Sequence, residues 1–348
     1  MSFFALRTAR LPHSAPQRGS SAVTLTSRFR VKSLLTAATM IAMSACTSPE
    51  VAQSPPTQPR ASASTDPSRP LLPQAQRVPT RIGTLAVRDT GLRGPSDEVI
   101  VLWPSILSDH RIYRTPIETW RTRYRLVVVD GPGHGDSGPA PGPFTMAQCG
   151  QALRDVLDAL GIAQPVVVVG TSWGGLVAGE FALAEPQRTR AVVLLNTPVF
   201  TAPEGPSFSD RFVAWGARWI HGTGVYRDGV ARAFFLPATR DRNDTLLRDF
   251  HQHLRDAQGA SLALSVRSVL LEREPLAPRM PGIVAPTLVV AGRHDAMYPA
   301  ESLRTAAATL PRGRFEVLDT AHLSVVDAPE ATTALIDGFM ASLPPVRR

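Results

Sequence analysis

The sequence Gly170-Thr171-Ser172-Trp173-Gly174-Gly175 joins two segments that differ in their preferred structure. The four valines at 166–169 come directly before it, and a β-branched run this short predicts a buried strand. Residues 176–184, which follow it, are typical of a helix. A Gly-x-Ser-x-Gly sequence between a strand and a helix predicts a nucleophile elbow. A glycine-rich turn without chemistry is the alternative, and the flanking strand and helix disfavour it.

This turn suits a serine that attacks a carbonyl group. Serine is a weak nucleophile, so its hydroxyl has to stand clear of the backbone and within reach of a base. Gly170 and Gly174 lack a Cβ and allow the strand and the helix to approach each other closely. The start of the helix contributes N–H groups and a positive dipole end, which stabilise a developing oxyanion. Ser172 is therefore the candidate nucleophile.

The charge of the chain is distributed unevenly. The chain has 348 residues, 43% of them hydrophobic, which is enough for a substantial core. Residues 1–80 contain nine Arg and Lys and two Asp and Glu, whereas residues 81–348 contain 28 and 27. The body is thus close to neutral, which argues against a nucleic-acid-binding domain with a basic face. The two cysteines, Cys46 and Cys149, imply no disulfide framework.

Residues 1–46 have the features of a leader. Arg28, Arg30 and Lys32 precede an apolar run at 33–43, which is too short to span a bilayer as a permanent helix. A basic segment, an apolar segment and small residues in this order predict a secretory signal peptide.

Met43-Ser44-Ala45-Cys46 resembles a bacterial lipobox, in which the cysteine becomes the lipidated N-terminus, although the first position is usually Leu. The resemblance implies lipidation at Cys46 and an exported, membrane-anchored protein, periplasmic or on the cell surface. The alternatives are an ordinary signal peptide with soluble secretion, or a cytoplasmic protein. Residues 1–27 fit no signal peptide, so a start further downstream, for example at Val31, stays open.

Residues 47–80 are rich in Pro, Ser, Thr, Gln and Ala and contain eight prolines. They show no apolar periodicity and cannot bury enough surface to offset the entropy lost on ordering. We therefore predict a disordered tether, which would hold the folded body away from a membrane.

The body alternates apolar strands with helices, which predicts an α/β fold with a mostly parallel sheet covered on both faces. Residues 81–198 and 281–343 form the predicted core. Residues 199–280 interrupt the alternation with helical patterns and predict an inserted helical cap. The predicted strands are residues 82–88, 99–102, 126–129, 166–169, 191–195, 287–290 and 315–318, and the predicted core helices include 113–123 and 146–160. Most of the cap aromatics, which are Trp215, Trp219, Phe234, Phe235 and Phe250, are interpreted as the cap's own core.

The order of strands, the turn at 130–137 (DGPGHGDS), the elbow and two later motifs resemble the α/β-hydrolase superfamily. The resemblance covers nearly all of residues 81–343. Within the superfamily, the chain resembles capped members with a serine nucleophile, in the enol-lactonase, haloperoxidase-like and carboxylesterase branches. It implies an α/β-hydrolase fold and the chain order nucleophile, acid, histidine.

The resemblance implies a base and an acid for Ser172. His322, in Thr320-Ala321-His322-Leu323, follows the last strand, where this family places its catalytic histidine. Asp295 follows the strand at 287–290, where the family places its acid. Two rival positions are disfavoured, because Asn196 carries no charge and Asp319 is only three residues from His322. Four other polar residues are interpreted as structural or as local hydrogen-bonding groups: Asp130, Asp136, His134 and His294.

An oxyanion hole needs two N–H donors, and the resemblance implies that Trp173 supplies one through its backbone. The other belongs to the loop after the strand at 99–102. The family often has His-Gly there, whereas this chain has Pro104-Ser105, and a proline has no N–H to donate. Aligning the two pairs makes Ile106 the donor, with Ser105 as second choice.

The expected function is that of a serine hydrolase that cleaves an ester or lactone of a small substrate through an acyl-enzyme. Acyl transfer, C–C hydrolysis or perhydrolysis on the same scaffold, and a non-catalytic surface lipoprotein, are the alternatives. No phosphate-binding loop, dinucleotide fingerprint or metal-ligand pattern is visible, so we predict no cofactor and no metal. His251 and His253 are two residues apart on a helical pattern and point to different faces. The oligomeric state stays open.

Overall fold

A single eight-stranded sheet runs through the body, in the order β1-β2-β4-β3-β5-β6-β7-β8. β1 and β2 form an antiparallel hairpin, β2 pairs antiparallel with β4, and the remaining neighbours are parallel. Every residue of β3, β4, β5 and β7 is buried, which requires layers on both faces of the sheet. The strands are β1 Gln76–Thr80, β2 Gly83–Asp89, β3 Val99–Trp103, β4 Arg125–Val129, β5 Val166–Thr171, β6 Thr189–Leu195, β7 Thr287–Gly292 and β8 Gly313–Leu318.

The computed structural model describes residues 70–91, 98–202, 204–242 and 244–345. The leader with Cys46, and residues 47–69 of the predicted tether, lie outside the described residues. The tether prediction is wrong for Gln76–Thr80, which pairs with β2 and buries Val78. The sequence did not indicate this edge strand, because Val78 is flanked by exposed polar residues and by Pro79. Proline is disfavoured inside sheets but tolerated at their edges.

The helices of the core follow the parallel strands, as the alternation predicts. α1 packs against α11, and α2 packs against α3. No helix within the described ranges has the length and the apolar sequence needed to cross a bilayer. The core helices are α1 Arg114–Trp120, α2 Met146–Ala159, α3 Trp173–Ala184, α9 Ala300–Ala307, α10 Ser324–Asp327 and α11 Pro329–Ala341. The predicted α/β fold is thus confirmed.

The start and the packing of α2 both follow from its sequence. The Thr145 hydroxyl accepts a hydrogen bond from the Gln148 N–H at 3.1 Å, and the Gln148 side chain accepts one from the Thr145 N–H at 2.8 Å, which is a capping box. Gly150 faces α3 at close range. A Cβ at this position would lie 2.8 Å from the Phe181 nitrogen and 2.9 Å from the Glu180 Cβ. Glycine therefore sets the distance between the two helices.

Five helices and two short helical turns lie between β6 and β7, and the described residues of this region contain no strand. They occupy the segment that the sequence predicts as the cap. Phe234, Phe235 and Phe250 are buried, as expected for a cap core. Trp215 and Trp219 are 50% and 65% exposed, so these two do not belong to the cap core. The cap helices are α4 Phe208–Trp219, α5 Gly224–Phe234, α6 Pro237–Arg242, α7 Thr245–Asp256 and α8 Gly259–Val266.

Two glycine-to-alanine substitutions within helices should have opposite effects on stability. We expect Gly150→Ala to lower the free energy of unfolding by about 1–3 kcal/mol, because the added methyl group overlaps α3. Gly338→Ala in α11 meets no atom within 4 Å and should raise it by about 0.5–1 kcal/mol, since alanine favours helix. Urea denaturation of both variants measures the difference. Equal effects of the two substitutions would contradict the close α2–α3 packing.

Candidate active site

Ser172 lies in a sharp turn between β5 and α3. Its backbone has φ 53° and ψ −109°, which is a left-handed conformation that non-glycine residues rarely adopt. Its N–H donates to the Leu195 carbonyl at 2.7 Å, which ties the turn to β6. A Cβ at Gly174 would overlap the Trp103 carbonyl oxygen of β3. The glycines therefore allow the turn to sit directly against two neighbouring strands.

The structure brings Ser172, His322 and Asp295 into one hydrogen-bonded series. His322 lies after β8, and its Nε2 is 2.8 Å from the Ser172 Oγ. Its Nδ1 is 2.8 Å from the Asp295 Oδ2. The carboxylate can only accept, so we assign the imidazole hydrogen to Nδ1, which leaves Nε2 to accept from the serine hydroxyl. All three side chains are buried.

The Asp295 carboxylate is held by its own loop. Its Oδ1 accepts hydrogen bonds from the Met297 and Tyr298 N–H groups at 3.0 and 3.1 Å. These bonds fix the orientation of the carboxylate. Oδ2 is left to face His322.

Asn196, at the end of β6, contacts Asp295 and the backbone beside His322. Its Nδ2 donates to the Ala321 carbonyl at 3.1 Å and lies 3.4 Å from the Asp295 Oδ2. Its Oδ1 accepts from the Ser324 hydroxyl at 2.6 Å. This positioning role of Asn196 was not predicted from the sequence. The available signal was its place directly after a buried strand.

Asp319 does not reach the site. Its side chain is 78% exposed and pairs with His294 at 2.8 Å and with Arg293 at 3.5 Å. The interpretation of His294 as a local hydrogen-bonding residue is confirmed. Asp319 therefore offers no alternative carboxylate for His322.

The loop after β3 presents backbone groups beside Ser172. Ile106, Leu107 and Ser172 line the same cavity. The Leu107 N–H donates to the His134 Nε2 at 2.9 Å, so it is not available to a substrate. None of the described residues accepts a hydrogen bond from the backbone N–H of Ile106 or of Trp173. These two groups are free to serve as the predicted oxyanion donors.

His134 holds this loop from the turn after β4. Its Nδ1 donates to the Pro132 carbonyl at 3.0 Å, and its Nε2 accepts from Leu107, which has φ 61°. Burial, and to a smaller extent the neighbouring His253 ring stacked at 5.5 Å, lower the pKa of His134 to about 3. The imidazole is therefore neutral near pH 7 and able to accept. Its interpretation as a local hydrogen-bonding residue is confirmed.

Asp130 and Asp136 are structural, as predicted. Arg88 bridges both carboxylates, and His110 lies 3.1 Å from Asp130. Burial alone would raise the pKa of Asp130, but the charges of His110 and Arg88 hold it below its usual value. The described residues contain no group of three or more His, Cys, Asp or Glu arranged to hold a metal ion.

A cavity of about 880 Å³ opens between the cap and the sheet, with Ser172 and His322 at its base. Its walls come mainly from the cap and are largely apolar. The Phe234 and Tyr298 rings lie 5.3 and 5.4 Å from the His322 ring and shield it. Other apolar lining residues are Val199, Phe200, Phe212, Val213, Ile220, Val225, Val230, Leu270 and Leu271. This shape suits an organic substrate with a few polar atoms.

The fold and the cavity define a class of protein, because an α/β sheet with a serine at a strand–helix turn and a histidine–aspartate pair beside it is the arrangement of α/β hydrolases. The chain belongs to the alpha/beta hydrolase fold family, whose model matches residues 98–329. The resemblance stated from the sequence is confirmed, and the protein is a hydrolase of this family.

Individual relatives extend this assignment. The chain is 26% identical over 268 residues to 3-oxoadipate enol-lactonase 1 of Acinetobacter baylyi, covering 75% of this chain and 94% of that protein. It is 30% identical to the pimeloyl-[acyl-carrier protein] methyl ester esterase of Xanthomonas campestris pv. campestris, covering 67% and 91%. Among solved structures, a thermophilic esterase from Thermogutta terrifontis is similar with TM-score 0.70 and 26% identity, covering 78% of this chain and 99% of that one.

Proposed function

We propose that this protein hydrolyses a carboxylic ester or lactone of a small substrate through an acyl-enzyme, with Ser172 as the nucleophile. The observation that carries the proposal is the buried series Ser172–His322–Asp295, with both contacts at 2.8 Å. The similar proteins support cleavage of a carboxylic ester bond. An enol-lactonase and a methyl ester esterase act on different acyl groups, but both cleave a carboxylic ester, since a lactone is an internal ester.

The geometry accounts for acylation. The Ser172 Oγ attacks the carbonyl carbon, and its proton passes to the His322 Nε2. Asp295 stabilises the imidazolium that forms and keeps the ring in place. The N–H groups of Ile106 and Trp173 would donate to the oxyanion. His322 then returns the proton to the leaving alkoxide as the ester bond breaks.

Deacylation repeats these steps with water. His322 removes a proton from a water molecule that attacks the acyl carbon, and Ser172 regains its proton when it leaves. The apolar walls of the cavity keep other water molecules away from the developing charge. The products are a carboxylic acid and an alcohol, or a hydroxy acid from a lactone.

Removing the nucleophile should abolish turnover. We expect Ser172→Ala to lower kcat on a cleavable nitrophenyl ester by a factor on the order of 10⁶, with an unchanged circular dichroism spectrum. A panel of nitrophenyl esters and lactones, with hydroxylamine as a competing acceptor, would define the acyl group and show whether acyl transfer competes with hydrolysis. Retention of wild-type rates by Ser172→Ala would contradict the assignment.

The two carboxylates near His322 provide a matched pair of variants. We expect Asp295→Asn to lower kcat by about 10³–10⁴-fold, because the amide cannot stabilise the imidazolium or hold its tautomer. Asp319→Asn should change kcat less than about twofold, since Asp319 pairs with His294 at the surface. Steady-state kinetics on the same ester gives the ranking, and a reversed ranking would move the acid role to Asp319.

We further propose that the protein is exported and anchored through a lipidated Cys46. The supporting features are the basic residues 28–32, the apolar run at 33–43 and the lipobox-like Met43–Cys46 sequence. A multiply acylated cysteine holds a protein on a bilayer, whereas one acyl chain binds only marginally.

Substitution of the cysteine tests the anchor. In a bacterial host, the wild type should partition into the detergent phase and Cys46→Ser into the aqueous phase. A wild type that is soluble and cut near residue 45 would indicate an ordinary signal peptide. A soluble, uncut wild type would place the enzyme in the cytoplasm.

A further inference from the structure

The outer face of α4 is a stripe of exposed aromatic residues. Phe208, Phe212, Trp215 and Trp219 follow one another at intervals of four, three and four residues, which places them on one side of the helix. Phe208 is 84% exposed, and the other three are about half exposed or more. The opposite side of α4, with Gly216 and Ala217, is buried in the cap. We call these four residues the aromatic stripe.

Soluble monomers seldom group large apolar side chains in this way, and such a group marks an interaction surface. Two further apolar residues are exposed: Val225 at the start of α5, at 77%, and Phe200 in the loop after β6, at 42%. Within the stripe, Phe212 and Trp215 stack with ring centroids 5.7 Å apart and so form one apolar surface.

Two arginine side chains lie beside the aromatic stripe. Arg211 and Arg218 are exposed about two helical turns apart on the same edge of α4, and the Arg218 guanidinium lies 5.1 Å from the centre of the Trp219 ring. The single acidic residue of α4, Asp210, accepts hydrogen bonds from the Ser207 N–H and hydroxyl and so caps the helix. Tryptophan and phenylalanine on one face with arginine at its border is the composition of helices that lie in a membrane interface.

The stripe borders the mouth of the active-site cavity. Phe200, Phe212 and Val225 are exposed and at the same time line the cavity that ends at Ser172. A second protein molecule seated here would cover this mouth. A lipid surface would instead bring apolar esters to it. The position of the stripe therefore favours a lipid over a protein as its occupant.

We propose that the aromatic stripe docks the cap on an anionic lipid surface and that the cavity receives acyl esters from that surface. The proposal rests on the ester hydrolysis proposed above for its substrate, but the docking itself does not require catalysis. Phe208 and Trp219 would enter the boundary between headgroups and acyl chains, and Arg211 and Arg218 would contact lipid phosphates.

Intrinsic fluorescence tests the docking directly. Of the five tryptophans, Trp103, Trp120 and Trp173 are fully buried, so Trp215 and Trp219 alone face solvent. The full-length Cys46→Ser, Ser172→Ala chain should show acrylamide-accessible tryptophan in solution. Vesicles of phosphatidylcholine and phosphatidylglycerol should shift the emission to the blue, remove this accessibility and allow quenching by brominated acyl chains. The Trp215→Phe, Trp219→Phe variant should lose these responses.

Matched surface variants measure the contribution of the stripe. Phe208 and Trp219 do not line the cavity, so in the Cys46→Ser chain the double substitution Phe208→Ser, Trp219→Ser should weaken vesicle binding at least about tenfold while leaving hydrolysis of a soluble short-chain ester unchanged. Hydrolysis of a long-chain ester carried in the vesicles should fall by a similar factor. The control is Val284→Ser, which removes a 55% exposed apolar residue. Val284 lies just before β7, at the amino end of the parallel strands, whereas the active site lies at their carboxyl ends.

Three results would overturn the docking proposal. The first is equal vesicle binding by the stripe variant and the Val284→Ser control. The second is shielding of the tryptophans in the free chain, which would mean that another segment of the chain covers the stripe. The third is a concentration-dependent dimer that the stripe variant abolishes, which would assign the surface to a second copy. Vesicle binding without hydrolysis of any ester would leave the docking in place and reject the proposed function instead.

Discussion

The left-handed backbone at Ser172 is the constraint on which the site depends. A non-glycine residue in such a conformation costs about 1–3 kcal/mol and persists only where its surroundings enforce it. Here the surroundings are β3 and β6. The Ser172 N–H is bound to the Leu195 carbonyl, and Gly174 lies against the Trp103 carbonyl where any Cβ would overlap. The turn therefore requires both neighbouring strands in register, and the fully buried β3 and β5 hold that register.

The parallel order of the sheet converts this turn into a site. β5, β6, β7 and β8 are neighbours, so their carboxyl ends lie side by side along one edge. The residues that follow them are, in order, Ser172, Asn196, Asp295 and His322. Each strand contributes one polar group, and hydrogen bonds across this edge join Ser172 to His322, His322 to Asp295 and Asp295 to Asn196. On the other side of β5, the loop after β3 adds backbone donors that His134, from the loop after β4, holds in place.

The sequence predicted those site residues whose place depends only on the strand that they follow. Buried strands appear as short β-branched runs, and Ser172, Asp295 and His322 each follow the end of one within a few residues, so their meeting follows from the fold. The roles of Asn196 and His134 depend on which loops lie next to each other across the sheet. β4 and β3 are neighbours in reversed chain order, and no local pattern records that the Leu107 N–H points at His134. β1 was missed because an edge strand with one buried residue has no periodic signal.

The two exposed tryptophans of α4 show a second limit of sequence patterns. Apolar residues at intervals of four, three and four predict a helix with one apolar face, and that prediction is independent of what the face contacts. In α2 the corresponding face is buried against the body, whereas in α4 the aromatic face points outward and the small residues Gly216 and Ala217 pack inward. Close packing of α4 needs small residues on its inner side, because the Tyr226 ring lies where a Gly216 Cβ would be. The large aromatic rings of α4 are thereby kept out of the cap core, and Phe212 lines the active-site cavity instead.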